Sequence, residues 1–225
     1  MRITDFRPRQ SREAAEVAAD GFADDPLWTY TVPDVGRRRL PHLILLRTAL
    51  RILRPPQAAR VAVHDGRIIG LATWTTAGAE DPYDPFAPTQ RVDPRLTRAT
   101  RTLVRRTSTD WPRLSALYAT LAQSYPNDPG WFLGTLVVRP DRRGTGVGSA
   151  LLRDGLARAD AAGQPVSLQT SSTRNVEFYR RHGFEVTRTF AELYPGSPPL
   201  WNLRRPVSAQ VTADVPSAPR GATPS

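Results

Sequence analysis

The chain has 225 residues, a formal net charge of +10 and 40% hydrophobic residues, enough for one large domain or one ordinary domain with appendages. All 31 residues in the Lys+Arg count are arginine, and cysteine is absent. This composition excludes a lysine Schiff base, a Walker-type phosphate-binding lysine, a thiolate zinc site and a cysteine nucleophile. No apolar run reaches the ~20 residues that a membrane-spanning helix needs. We expect a cytoplasmic protein with no membrane and no nucleic-acid partner, since net charge alone bears on non-specific association.

The first half of the chain alternates strand-like and helix-like windows, which is typical of an α+β domain. In chain order the windows predict a strand at 2–6, a helix at 11–19 capped by Ser11, a chain break at 22–26, a helix at 35–53, strands at 60–64 and 67–74, and a proline-rich loop at 76–94. The dipeptide Asp65-Gly66 is a strong signal for a two-residue hairpin turn between the two strands.

The second half continues the alternation and ends in a low-complexity tail. It predicts helices at 95–105 and 111–124, a strand at 131–138, a helix at 146–161, a strand at 166–170, a helix at 174–182 and strands at 184–193 and 200–204. Residues 206–225 consist mainly of Pro, Ala, Ser, Thr and Val, and we expect them to be disordered.

The most informative segment is a glycine-rich turn between a buried strand and an amphipathic helix. It reads Arg143-Gly-Thr-Gly146-Val-Gly148-Ser149. Unpaired backbone N–H groups at a helix N-terminus bind phosphate, and glycine lets the ligand approach the backbone. The Walker spacing fails because lysine is missing, and Gly-x-Gly-x-Gly does not match the dinucleotide fingerprint. Taken alone, the turn is equally explained as a plain connection.

A second block follows one helix and one strand later. It runs from Asn175 through Tyr179 to Gly183-Phe184. Together, Arg143-x-x-Gly146-x-Gly148 and this block resemble the two halves of the acetyl-CoA site in the GCN5-related N-acetyltransferase (GNAT) superfamily. A narrower likeness, to puromycin N-acetyltransferase-like members, rests on the 22–26 segment, Trp74-Thr-Thr76, Trp131-Phe-Leu133 and the second block.

The resemblance implies a GNAT fold of class α+β (α/β/α), with a mixed central sheet of six to seven strands, flanking helices and a splayed parallel strand pair. It assigns residues 1–205 to one N-acetyltransferase domain, with the acetyl-CoA-binding core at about 60–205. It also implies acetyl-CoA as co-substrate and a small-molecule primary amine as acceptor, in a monomer or homodimer. Two alternatives stay open: acetylation of protein lysines or N-termini, and a non-catalytic CoA-binding module.

By the same resemblance, the main chain of the buried strand contacts the pantetheine arm and the glycine turn holds the pyrophosphate. The implied cofactor-binding residues are Leu136, Val137, Val138, Arg143, Gly144, Thr145, Gly146, Val147, Gly148, Ser149 and Asn175, although helix capping also explains an asparagine at 175. Tyr179 is the candidate catalytic residue, because a phenol of pKa about 10 is able to protonate a leaving thiolate or to stabilise it by hydrogen bonding. The alternative for Tyr179 is packing against the sheet.

The general base is not identified by the sequence, because the strand at 131–138 contains no acid. The candidates are a water chain or one of Asp24, Asp25, Glu80, Asp81 and Glu192. Four aromatic residues are candidates for the walls of the acceptor pocket or for the core: Trp28, Tyr30, Trp74 and Trp131. We expect no metal, because His42 and His64 have no partners at metal-ligand spacing, and we expect a structural role for His182.

Overall fold

The computed structural model describes residues 1–52, 57–76, 93–126, 130–192 and 194–207. Seven strands form one sheet, which is ordered β1-β2-β3-β4-β5-β7-β6. The strands are β1 (Arg2–Asp5), β2 (Gln57–His64), β3 (Arg67–Thr75), β4 (Trp131–Val138), β5 (Val166–Thr170), β6 (Glu185–Phe190) and β7 (Leu200–Arg205). Every neighbouring pair is antiparallel except β4 and β5. This mixed sheet with one parallel pair confirms the predicted fold class.

Helices cover both faces of the sheet. They are α1 (Ser11–Gly21), α2 (Pro26–Thr31), α3 (Val35–Arg38), α4 (Arg47–Ile52), α5 (Pro94–Arg106), α6 (Trp111–Ser124), α7 (Val147–Ala161) and α8 (Thr173–Arg180), and a π-helical turn, His42–Leu46, leads into α4. One core cluster lies under α1 and α4, and the other lies under α7 and α8. No helix within the described ranges has the length and apolarity to cross a lipid bilayer.

The structure differs from the predictions at three places. Residues 22–25 do break the chain after α1, but the short helix α2 that follows was not predicted: the Asp25 carboxylate caps it, and Pro26 occupies its first position, where a missing N–H costs nothing. The helix predicted at 35–53 is interrupted: α3 ends before Pro41, which lacks an N–H, and the chain resumes as a π-helical turn. Ser11 is the first residue of α1 and not its cap, because a 3₁₀ turn, Pro8–Gln10, precedes the helix. The tail prediction falls on residues beyond Val207, outside the described ones.

Candidate active site

The parallel pair β4 and β5 separates after three residues. Trp131, Phe132 and Leu133 pair with Val166, Ser167 and Leu168, and no later pair follows in the described chain. The register of β4 with β3 skips Gly134, because Thr73 pairs with Thr135 and Trp74 with Leu133. Such a bulge bends a strand. A gap therefore opens beside the second half of β4, which confirms the predicted splay.

Backbone groups of β4 face this gap. The Arg139 N–H donates to the Ile69 carbonyl at 2.9 Å, and bonded and non-bonded pairs alternate along an antiparallel ladder. The alternation directs the N–H of Val137 toward Leu71 and those of Leu136 and Val138 toward the gap. The backbone N–H groups of Leu136 and Val138, and not that of Val137, are therefore available to a ligand in the gap. The Val137 side chain is buried on the face of the sheet that α1 covers.

The turn after β4 forms an open cradle. Gly144 and Gly146 have φ values of 76° and 85°, and a Cβ at either position would meet no atom within 4 Å. No side chain caps α7. None of the backbone N–H groups of residues 144–149 donates a hydrogen bond to another residue that the structure describes. Unfilled donors at the N-terminus of a 15-residue helix can bind an anion, so the turn fits the phosphates of a nucleotide cofactor.

Arg143 ties the turn to the loop after α1. Its Nη1 donates to Asp24 Oδ2 at 2.7 Å, and its Nη2 donates to Asp24 Oδ1 at 2.9 Å and to the Gly21 carbonyl at 2.7 Å. The hydrogen bond from Arg143 holds the pKa of Asp24 below its ordinary value. The guanidinium is thus engaged with protein groups, and Asp24 becomes a weaker base.

Tyr179 lies on α8 with its ring packed between Phe178 and Phe184, at centroid distances of 5.2 and 5.6 Å. It is 7% exposed, and burial raises its pKa above the ordinary value. Its hydroxyl makes no hydrogen bond to another residue in the part of the chain that the structure describes. Packing against the sheet and proton donation are therefore compatible roles for Tyr179, because its ring is packed while its protonated hydroxyl has no described partner.

The start of α8 lies against the end of β5. Asn175 Nδ2 donates to Thr170 Oγ1 at 3.3 Å. The explanation of Asn175 as a helix cap is wrong, because Ser172 is the N-cap residue and Asn175 lies within the first turn. A Cβ at Gly148 would lie 3.8 Å from Phe178 Cζ, so α8 also approaches the start of α7.

His182 Nδ1 is 2.9 Å from the Phe178 carbonyl, and its ring packs on Phe178 at 4.7 Å. These contacts hold the end of α8.

The acids considered as general bases differ in environment. Asp25 Oδ1 accepts from the N–H groups of Leu27 at 3.0 Å and Trp28 at 3.2 Å, and Ser171 Oγ lies 3.4 Å away. Burial raises the pKa of Asp25. Glu192 is exposed at the β6–β7 connection. Glu80 and Asp81 lie outside the described residues.

The four aromatic candidates divide into two groups. Trp74 is 2% exposed and packs so closely on α7 that a Cβ at Gly155 would lie 2.0 Å from its Cζ2; Trp131 is beside it, with ring centroids 6.3 Å apart. Both belong to the core under α7. Trp28 and Tyr30 lie on α2.

Several residues that the sequence analysis did not single out contact α2 and hold it in place. Trp28 packs on His42 at 4.7 Å and on Tyr118 at 6.4 Å. The Tyr30 hydroxyl donates to the Pro195 carbonyl at 2.8 Å, and Thr31 Oγ1 is 2.9 Å from the Tyr194 hydroxyl. These two bonds fasten the β6–β7 connection to α2.

Arg38 fixes both ends of α2. Its buried guanidinium donates to the carbonyls of Ala23, Val32 and Pro33 at 2.6 to 2.8 Å. Only the three-dimensional structure reveals this role, since no sequence motif marks an arginine that binds carbonyls. Across the described ranges, no group of three or more His, Asp or Glu side chains could hold a metal ion.

Comparison with known proteins identifies the fold. Residues 116–186, from α6 through β4, the turn and α8 to β6, match the family model of the acetyltransferase (GNAT) domain. The structure of histone acetyltransferase HPA2 and related acetyltransferase from Corynebacterium glutamicum is 22% identical, with 93% of this chain and 97% of that chain covered and a TM-score of 0.63.

Two further structures share the fold at lower identity. The ribosomal-protein-S18-alanine N-acetyltransferase from Escherichia coli is 12% identical, with 94% of this chain and 97% of that chain covered and a TM-score of 0.56. The N-acetyltransferase from Staphylococcus aureus Mu50 is 15% identical, with 92% of this chain and 98% of that chain covered and a TM-score of 0.50. The matched residues 116–186 include the splayed strand pair and the open glycine turn, and the chain therefore has the fold of the GNAT acetyltransferases.

Proposed function

We propose that this protein transfers the acetyl group of acetyl-CoA to the primary amine of a small molecule, directly within a ternary complex. The observation that carries the proposal is the open turn at residues 144–149, whose N–H groups donate to no other described residue and which lies at the end of β4, where the strand has parted from β5. Glycine at positions 144 and 146 leaves open space at the turn, so a phosphate is able to approach its backbone N–H groups.

The donor site is formed mainly by backbone groups. The N–H groups of Gly144, Thr145, Gly146, Val147, Gly148 and Ser149 would hold the pyrophosphate. Leu136 and Val138 would pair with the pantetheine arm in the gap, and Asn175 would contact the same arm from α8. Arg143 would hold the turn in place through its hydrogen bonds to Asp24 and the Gly21 carbonyl.

Acetyl-CoA supplies a thioester carbonyl carbon to which the amine nitrogen bonds while the bond from carbon to sulfur breaks. A backbone N–H of the second half of β4 would stabilise the oxygen that becomes negative during attack. Tyr179 would give its proton to the leaving sulfur. The phenol is neutral at neutral pH, and because burial raises its pKa it is a weaker acid than a free tyrosine; its O–H would first donate a hydrogen bond to the sulfur and give up the proton as the carbon–sulfur bond breaks.

The amine must lose a proton before it attacks, and Asp25 is the best-supported base. Its raised pKa makes its carboxylate more basic than that of Asp24, whose pKa Arg143 lowers. Asp25 Oδ2 has Ser171 Oγ at 3.5 Å as its described hydrogen-bond partner, so this oxygen is less committed than Oδ1. A water beside Ser171 would extend the reach of Asp25 to the acceptor.

The contacts between α2, which carries the acceptor-pocket candidates Trp28 and Tyr30, and the β6–β7 connection favour a small acceptor over a polypeptide. Tyr30 and Thr31 of α2 are hydrogen-bonded to Pro195 and Tyr194 of the β6–β7 connection. An extended peptide needs an open channel between these segments, whereas a small amine needs only a local opening.

The test measures release of the CoA thiol from acetyl-CoA with small primary amines, and separately with peptides that carry a free N-terminus or a lysine. We expect turnover with at least one small amine. We also expect Tyr179→Phe to lower kcat by about a hundredfold or more, the low end of a general-acid contribution, and to change the acetyl-CoA Kd little. Turnover with peptides alone would refute the small-molecule acceptor. Acetyl-CoA binding without any turnover would indicate a non-catalytic module.

A further inference from the structure

A groove of about 400 Å³ lies on a part of the surface to which the transfer reaction assigns no role. One wall is formed by the π-helical turn and α4, and the other wall is formed by the first half of α5. No residue of β4, of the glycine turn or of α8 lines it. Residues spaced three and four apart on each helix face the groove, which places Arg47 and Arg51 on one wall and Arg95 and Arg98 on the other.

The positive charges around the groove are largely uncompensated. Within the described residues, Arg47, Arg51 and Arg98 have no carboxylate within ion-pair distance, and all three are exposed. Arg95 has a carboxylate partner, Asp93, at 2.7 Å. Since no carboxylate of the described residues offsets the charge of the Arg47, Arg51 and Arg98 guanidinium groups, an anion bound among them would do so and accept forked hydrogen bonds.

The groove is also apolar, which narrows the class of ligand. Leu43, Ile44, Ile52 and Ala99 line it together with the arginines. The hydroxyls of Thr48 and Thr102 donate to carbonyls of their own helices, at 2.7 and 2.9 Å, so the guanidinium groups are left as the donors for an anion. A nucleic-acid backbone would leave the apolar part unused, and a bare phosphate would leave most of the volume unfilled.

We propose that this groove binds an amphiphilic anion, a small molecule with one carboxylate or phosphate monoester group and an apolar alkyl or aromatic body. The anion would lie between Arg47, Arg51 and Arg98, with the apolar body against Ile44, Ile52 and Ala99. A volume of about 400 Å³ is in the range of small-molecule sites. The proposal is independent of acetyl transfer, because it uses none of the residues of that site.

Calorimetric titration of the full chain with octyl phosphate below its micelle concentration tests the proposal. We expect one saturable site for octyl phosphate, and at least tenfold weaker binding of inorganic phosphate and of 1-octanol, each of which carries half of the ligand. Equal affinity for inorganic phosphate would overturn the proposal. So would the absence of saturable binding, or a single-stranded oligonucleotide that displaces octyl phosphate at lower concentration.

Variants locate the binding. Arg98→Gln and Arg47→Gln should each weaken octyl phosphate at least tenfold. Arg101→Gln is the matched control, because Arg101 is an exposed arginine of the same helix α5 that does not line the groove, and it should change the Kd less than twofold. Thermal unfolding midpoints within about 2 °C of the parent would show that all three variants fold. If Arg101→Gln binds octyl phosphate as weakly as Arg98→Gln does, the net positive charge of the protein, and not this groove, attracts the probe.

Discussion

Replacing Gly146 by alanine distinguishes a turn that binds phosphate from a turn that only connects β4 to α7. Gly146 has a φ of 85°, and a Cβ there would meet no atom within 4 Å, so alanine creates no clash in the folded protein. Its cost is the left-handed conformation, about 1–2 kcal/mol for a residue with a Cβ. For a chain of this size we expect the unfolding midpoint to fall by roughly 2–8 °C.

The effect on cofactor binding should be larger than this strain implies. The new methyl group would occupy open space at the turn, and a phosphate that binds this turn must approach the backbone closely. Loss of one hydrogen bond to a charged group costs about 1.5–3 kcal/mol. We therefore expect the Kd for coenzyme A, measured by calorimetry, to rise by about tenfold to a hundredfold.

Gly163→Ala is the matched control. Gly163 follows the other end of α7, has a φ of 64° and also has no atom within 4 Å of its Cβ position. The same strain should lower its unfolding midpoint by a similar amount and leave the Kd for coenzyme A unchanged. If Gly146→Ala and Gly163→Ala bind coenzyme A alike, the turn at 144–149 does not hold the pyrophosphate.

Three more predictions follow from single features. Because cysteine is absent, initial-rate plots with both substrates varied should intersect, and parallel lines would contradict direct transfer. Burial lowers the pKa of His42 to about 4, so between about pH 6.5 and pH 4 the unfolded chain binds a proton at this residue and the folded chain does not. As the pH falls over this interval, the free energy of unfolding measured in urea should decrease by up to about 3 kcal/mol. In His42→Gln this decrease should be smaller. Because lysine is absent, mass spectrometry after incubation with acetyl-CoA should find no side-chain acetyl-lysine, and any self-acetylated amine should be the N-terminus.

Local signals account for most of the predicted fold. The Asp65-Gly66 hairpin, the apolar run of β4 and the glycine turn each depend on a few adjacent residues, and all three form as expected. The error at α2 was one of interpretation: an aspartate followed by proline also starts a helix, with the carboxylate as cap. The position of β7 between β5 and β6 depends on long-range pairing, which no local pattern encodes.

The α2 side of the candidate site was the least predictable from sequence for the same reason. Arg38 bonds to carbonyls up to 15 residues away, and Tyr194 reaches Thr31 across 163 positions. Neither residue stands in a motif, and each acquires its role only when the loops meet. The acetyl-CoA side of the candidate site was easier to predict from the sequence, because the turn and the start of α7 are continuous in the chain.

The donor site relies on backbone groups, and this explains how it exists in a chain without lysine or cysteine. An arginine in the motif invites the interpretation that its side chain is the phosphate ligand, yet the Arg143 guanidinium is bonded to Asp24 and to the Gly21 carbonyl. A side chain held in this way keeps the turn open at a fixed distance from α1, and the unfilled N–H groups remain for the anion. Asp24→Asn should therefore act on cofactor binding through the position of the turn, with little loss of stability, because an ion pair whose carboxylate is 69% exposed contributes at most about 1 kcal/mol. If Asp24→Asn instead leaves coenzyme A binding unchanged and Arg143→Gln weakens it, the guanidinium itself contacts the phosphate.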